Sequence, residues 1–82
     1  MNLDIITPDK KVFSGDIKLI KVPGLNGSFE VMENHAPIVS TLSAGEVKVI
    51  TPDGNETFYK ISGGIIEVLK NNVSVLIESI IE

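Results

Sequence analysis

Apolar and polar residues alternate along most of this 82-residue chain, with the period of two that marks strands half-buried in a sheet. Leu3 to Thr7 is the first such run. It is closed by Thr7-Pro8-Asp9-Lys10, where proline occupies the second turn position and its fixed φ suits the bend. Lys11 to Phe13 follows, with Ser14-Gly15-Asp16 as a break or bulge. From Asp16 to Val22 the pattern is double. Ile17 and Leu19 share one face and Ile20 and Val22 the other, so this strand exchanges its buried face midway or is covered on both sides. Glu46 to Thr51 alternates cleanly, and Thr51-Pro52-Asp53-Gly54-Asn55 is a hairpin signal leading into Thr57 to Ile61. Gly63-Gly64 implies a corner or a close backbone approach. Ile65 to Leu69 and Val73 to Glu78 make a last hairpin around Asn71-Asn72, rich in β-branched residues that suit a pleated surface.

The stretch Lys21 to Ser43, KVPGLNGSFEVMENHAPIVSTLS, departs from the alternation. Gly24, Asn26 and Gly27 crowd a turn in which positive φ is easily reached. Phe29, Val31 and Met32 then make a short strand, and Asn34-His35-Ala36-Pro37 is a second turn in which Pro37 pushes Ala36 towards an extended conformation. Two ordered turns around one short strand exceed what a connection requires, and loops carried on a rigid scaffold are where binding surfaces concentrate. Counted together, the signals predict an all-β, antiparallel β-sandwich of about eight to ten short strands with no substantial helix. Ser79 to Glu82 is the one stretch with room for a helical turn, too short to stand alone. No repeat, low-complexity tract or linker divides the chain, so residues 1–82 read as a single domain.

Composition narrows the chemistry. The absence of cysteine removes disulfides, thiol catalysis and cysteine-ligated zinc, and one histidine does not make a zinc site. Seven basic against eleven acidic residues leave a net charge of -4, which argues against a nucleic-acid backbone as partner. The first eleven residues do not form a signal peptide, and no apolar run approaches the ~20 residues of a membrane span. No glycine-rich loop with a following lysine cradles a phosphate, and Asp53-Gly54-Asn55-Glu56 lacks the spacing of a calcium loop. A serine nucleophile (Ser28, Ser40 or Ser43) beside His35 would further require an orienting carboxylate and a pocket. The expectation is a non-catalytic protein with no cofactor and no small-molecule substrate.

Some residues carry two readings. His35 is a turn residue bonded to its own loop, or a contact for a protein partner. Leu25 and Asn26 at the tip of the glycine turn are an ordinary exposed tip or a docking point. Ile77, Ile80 and Ile81 either finish the core or leave an apolar patch that a partner covers.

Four segments resemble the N-terminal β-sandwich of the epsilon subunit of F-type ATP synthases: LDIITPDKKVFSG, VPGLNGSFEVMENHAPIVSTLSAGEV, SGGIIEV and NNVSVLIES, in the family's order and spacing. The resemblance implies a rotor subunit of the central stalk, bound to the gamma subunit and resting on the membrane ring of c subunits. Such a subunit helps couple proton or sodium flow to ATP synthesis performed elsewhere. It implies a peripheral position on the cytoplasmic face of a bacterial inner membrane, without direct membrane insertion. Carried onto this chain, Gly24, Leu25, Asn26, Gly27 and Ser28 correspond to the loop facing the ring. Thr7, His35, Ala36, Pro37 and Ser40 correspond to the gamma-facing side. Two departures stand out: Glu30 replaces a frequent glycine, and Met32-Glu33 replaces a more usual Leu-Pro. The helical hairpin that restrains hydrolysis in longer members is not part of these 82 residues; if they are the complete subunit, the resemblance implies coupling without that brake. Two rivals remain at this point. A lipoyl or biotinyl carrier would place its lysine at a mid-chain hairpin tip, whereas Asp9-Lys10 lies near the start. A carbohydrate-binding sandwich would want more aromatics than three Phe and one Tyr.

Overall fold

In the computed structural model, which describes residues 1–81, the alternating runs become ten strands, and no helix occurs among the described residues. They are β1 (Asn2–Ile6), β2 (Lys11–Asp16), β3 (Leu19–Gly24), β4 (Gly27–Met32), β5 (Ile38–Leu42), β6 (Gly45–Ile50), β7 (Glu56–Ile61), β8 (Gly64–Leu69), β9 (Asn72–Ile77) and β10 (Ile80–Ile81). One continuous sheet folds into two layers, β4-β3-β6-β7-β10 and β5-β8-β9-β1-β2, joined where Gly24 of β3 meets Leu42 of β5.

The alternation then places every second side chain between the layers. Ile20, Val22, Val31, Val47, Val49 and Ile61 enter from the first layer. Leu3, Ile5, Leu42, Ile66, Val68, Val73, Val75 and Ile77 enter from the second. No polar or charged residue is buried among the described residues. Burying one such isoleucine stabilises the fold by about 2–3 kcal/mol, which is how a chain this small sustains a core.

The expected fold class holds, with one pairing that alternation does not reveal. β1 and β9 run parallel, from Asn2↔Asn72 to Ile6↔Leu76, while the other pairs are antiparallel. Seventy residues separate these partners, so no hairpin turn dictates their relative direction.

Several local expectations are corrected. Ser14-Gly15-Asp16 does not break its strand. Gly15 pairs with Leu3 inside β2, and the Phe13 ring occupies the space beside it, 3.6 Å from where a Cβ would lie. The irregularity falls earlier in the same strand: Ile5 pairs with Phe13 and Ile6 with Lys11, so Val12 is the extra residue. The double pattern of Asp16 to Val22 resolves into two elements: Ile17 is buried from a connection, and β3 begins only at Leu19. The Ile17 and Lys18 amides donate to the carbonyls of Met1 at 2.7 Å and Ile50 at 2.7 Å, and in that bend the buried parity resets. The last hairpin turns at Lys70-Asn71 rather than Asn71-Asn72. Both turn residues have positive φ (49° and 62°), the twist that a two-residue connection between right-twisted strands needs. The stretch read as a helical turn forms β10, where Ile80 pairs with Ile61 and the Ser62 amide donates to Ser79 O at 3.2 Å; Glu82 lies outside the described residues. Gly63-Gly64 is the expected close approach. A Cβ on Gly64 would sit 2.4 Å from the Leu76 carbonyl.

Candidate partner-binding surface

Thr7, the glycine turn and the end of β5 gather at one end of the sandwich. Gly24 and Gly27 close the β3–β4 hairpin around Leu25 and Asn26, and positive φ is confined to Gly27 (126°). Gly24 is tight for another reason: a Cβ there would lie 2.7 Å from Gly27 O and 2.9 Å from the Phe29 ring. The Leu25 amide donates to Thr41 O at 3.2 Å and the Ser43 amide to Pro23 O at 2.8 Å, so the turn is fixed to the β5 end of the other layer. Its tip projects: Leu25 is 64% exposed. Thr7 follows β1 at the same end, with its hydroxyl 3.2 Å from the Lys10 carbonyl across the Pro8 turn.

His35, Ala36 and Pro37 lie at the other end of β5. Asn34, at φ 67°, turns the chain there, and its amide donates to the Asn71 side chain at 2.6 Å while Asn71 Nδ2 returns to Asn34 Oδ1 at 3.3 Å. Two left-handed asparagines thus brace two turns that are 37 residues apart in sequence. The His35 ring is half-buried and its Nδ1 is 2.8 Å from Ala36 O; a carbonyl only accepts, so Nδ1 carries the hydrogen and donates. This is the turn-residue reading of His35, and it leaves Nε2 for any partner.

Ser40 faces the inner side of β5, paired across from buried Ile66. With Phe29 and Ile38 it lines a groove of about 570 Å³ whose other wall is the glycine turn from Gly24 to Ser28. The structure therefore brings Ser40 to the glycine turn and Thr7 to the same end, and separates both from His35. The serine hydroxyls serve backbone carbonyls, Ser40 to Thr41 O at 3.5 Å and Ser43 to Pro23 O at 3.2 Å, and not His35. Among the described residues, no group of three or more His, Cys, Asp or Glu is placed to hold a metal ion, and no helix is long and apolar enough to cross a membrane.

Sequence reading missed the outer face of the second layer. Register places Thr41, Ile65, Leu76 and Ile6 side by side across β5, β8, β9 and β1, all pointing away from the core. Ile65, Leu76 and nearby Val39 are exposed. The row borders a second groove, about 610 Å³, that Thr7, Pro8 and Glu78 complete. The signal was present: in GIIEVL and NVSVLI apolar residues occupy both parities, although inward burial needs only one. The apolar end of the chain divides between its two readings. Ile77 is buried and Ile80 packs against the core, while Ile81 stays exposed.

On the opposite outer face the row Glu30, Lys21, Lys48 and Phe58 crosses β4, β3, β6 and β7. Two ionisable groups are perturbed. The Thr51 hydroxyl, which donates to Asp53, holds that carboxyl below its ordinary value near 3.8, and burial pushes the Tyr59 phenol up.

The family described as "ATP synthase, Delta/Epsilon chain, beta-sandwich domain" matches residues 1–82. A protein of Chlorobaculum tepidum named ATP synthase epsilon chain is 42% identical over 78 residues, covering 95% of this chain and 89% of that one. One of the same name from Nitrosococcus oceani is 34% identical over 79 residues; the match takes in 96% of this chain but only 56% of the longer relative. Among solved structures, a chain in the cryo-EM structure of the Euglena gracilis mitochondrial ATP synthase, OSCP/F1/c-ring in rotational state 1, superposes with a TM-score of 0.90 at 22% identity, over 96% of this chain and 51% of that one. A chain in the Tetrahymena thermophila mitochondrial ATP synthase central stalk/c-ring structure gives 0.83 at 14% identity, over 99% and 65%. The chain belongs to the ATP synthase delta/epsilon family, as its β-sandwich domain, and so to a non-catalytic subunit of that complex.

Proposed function

We propose that this chain is a rotor subunit of the central stalk of an ion-driven F-type ATP synthase, joining the gamma subunit to the ring of c subunits at the cytoplasmic face of a bacterial inner membrane. The observation that carries the reading is the uncharged row Thr41-Ile65-Leu76-Ile6, in which Ile65 and Leu76 are exposed. A soluble chain gains nothing by leaving such a row in water, and the row lies beside Thr7, at the end where the glycine turn projects. Gamma docks against this row and Thr7. The tip Gly24, Leu25, Asn26, Gly27 and Ser28 meets the polar loops of the ring. For His35, Ala36 and Pro37 to contact the same gamma subunit, that subunit must reach along the whole of β5, roughly 16 Å at the usual rise per residue. Torque then passes through a rigid sandwich whose two docking areas are tied by backbone hydrogen bonds, and no chemistry is asked of this subunit.

Titration of the gamma subunit of the same organism with the purified protein tests the reading. One-to-one binding that Leu76→Asp weakens strongly while Phe58→Asp leaves it intact supports it. Binding indifferent to Leu76→Asp in a folded protein contradicts it.

A further inference from the structure

We propose that Asn26-Gly27, at the tip of the β3–β4 hairpin, is a site of spontaneous deamidation and isomerisation, and that the superficially similar Asp53-Gly54 at the tip of the β6–β7 hairpin is protected from the equivalent reaction. The chain has six asparagines, and only Asn26 is followed by glycine. Asn26 and Gly27 are both exposed. Several of the other asparagine side chains are engaged: Asn34 and Asn71 with each other, Asn55 with Asp53 at 2.8 Å, and Asn72 with the Lys70 carbonyl at 3.3 Å. Among the described residues the Asn26 side chain makes no such bond.

The step is balanced. The Gly27 amide nitrogen, on losing its proton, attacks Cγ of Asn26. The Cγ–Nδ2 bond breaks and ammonia leaves, taking up the proton, and a five-membered succinimide remains. Water then adds to the ring. Cleavage of the Cγ–N bond gives aspartate; cleavage of the bond from the α-carbonyl carbon to nitrogen gives isoaspartate. Nothing is oxidised or reduced, and the net change exchanges one water for one ammonia. Because the amide must lose its proton, the rate rises with hydroxide.

Asp53 shows what protection looks like. Its carboxylate accepts from the Thr51 hydroxyl and from Asn55 Nδ2, and the Gly54 amide donates to Thr51 O at 2.9 Å. A carboxylate is a far poorer electrophile than a carboxylic acid or an amide, and the same hydrogen bonds keep it ionised. The electrophile is thereby held back, whereas the backbone bond closing the turn is common to both hairpins and does not distinguish them.

The products alter the tip in two ways. Each adds a negative charge to a chain already at -4. Isoaspartate also lengthens the backbone by one carbon inside a two-residue turn, so Gly24 and Gly27 no longer close the hairpin in register. That ageing weakens docking on the ring rests on the assignment of this loop to the ring; the chemistry itself does not.

Incubation of the purified protein at mildly alkaline pH, followed by intact mass and by peptide mapping with an isoaspartyl methyltransferase label, tests the proposal. Label confined to the Asn26-Gly27 peptide, lost in Asn26→Gln and reduced in Gly27→Ala, is expected. Label at Asp53-Gly54, label undiminished in Asn26→Gln, or no label while the wild type stays folded would overturn it. Aged and fresh protein are then compared for binding to the purified ring. Ageing at Asn26 with unchanged ring binding would leave the modification standing and remove the ring-facing role of the loop.

Discussion

Two rows, one on each outer face of this sandwich, are built by the same alternation and carry opposite chemistry. Each face also holds residues of the other kind: Glu67 and Asp4 lie in the row beside the apolar one, and Met32, Leu19 and Ile50 in the row beside the charged one. Across β4, β3, β6 and β7 the row Glu30-Lys21-Lys48-Phe58 is mostly charged, and it sets two lysines directly opposite each other. Across β5, β8, β9 and β1 the row Thr41-Ile65-Leu76-Ile6 carries no charge. The core behind each row is equally apolar, so folding does not explain the difference. A row that only meets water is free to collect charges, even an unfavourable Lys–Lys pair. A row that meets another protein is constrained to stay uncharged.

Changes on the two faces separate these causes. Gly64→Ala has the largest expected effect. Its Cβ meets the Leu76 carbonyl and Ile77 backbone, which do not move freely, so β8 and β9 must part under the apolar row. A loss of about 3 kcal/mol in denaturant unfolding follows. Leu76→Asp comes next. Leu76 is 52% exposed, so stability should change by no more than about 0.5 kcal/mol. Gamma affinity should fall by about 2 kcal/mol or more, roughly thirtyfold, in a binding titration. Asn71→Ala should cost about 1 kcal/mol of stability, because it removes the brace on Asn34 and a residue type that tolerates φ 62°. On the charged face, Lys48→Glu should stabilise by about 0.5 kcal/mol by replacing a like pair with an opposite one. It should leave gamma binding unchanged; a loss of binding there would erase the distinction between the faces.

The smallest effect is one of pH. Asp53 is held below its ordinary carboxyl value by Thr51. Its contribution to stability is therefore fully present above that value, near 3.8, and fades as pH falls through the lower folded value. Thr51→Val should weaken this dependence in acid unfolding curves, because Thr51 is the largest but not the sole cause. Tyr59 has the opposite sense: its folded value is raised, so its contribution is present below the ordinary phenol value, near 10, and is lost as pH rises through the folded one.

Alternation made the strands, the hairpin at Asp53-Gly54 and the Gly63-Gly64 approach legible, because those features depend on neighbours a few residues away. Features set by distant partners were not. The parallel β1–β9 pairing, the Asn34–Asn71 brace and the outer apolar row all join residues whose proximity only the register supplies. The double pattern of Asp16 to Val22 shows the limit well. Both of its faces were read correctly as apolar, yet nothing local says that Ile17 is buried from a connection. Of the candidate site, the glycine turn was legible from composition, and resemblance supplied Thr7, His35 and Ser40. That Ser40 and Thr7 sit with the glycine turn, while His35 sits at the far end of β5, was not legible.

The absence of cysteine permits a direct test of the central claim. Single cysteines at Ile65, at Leu76 and, on the opposite face, at Phe58 would be labelled with a water-soluble thiol reagent, in the free protein and in the assembled synthase. The account predicts that all three label readily when free, and that only Ile65→Cys and Leu76→Cys become protected on assembly. Protection of Phe58→Cys with Ile65→Cys and Leu76→Cys still open would place the partner on the charged face and contradict it.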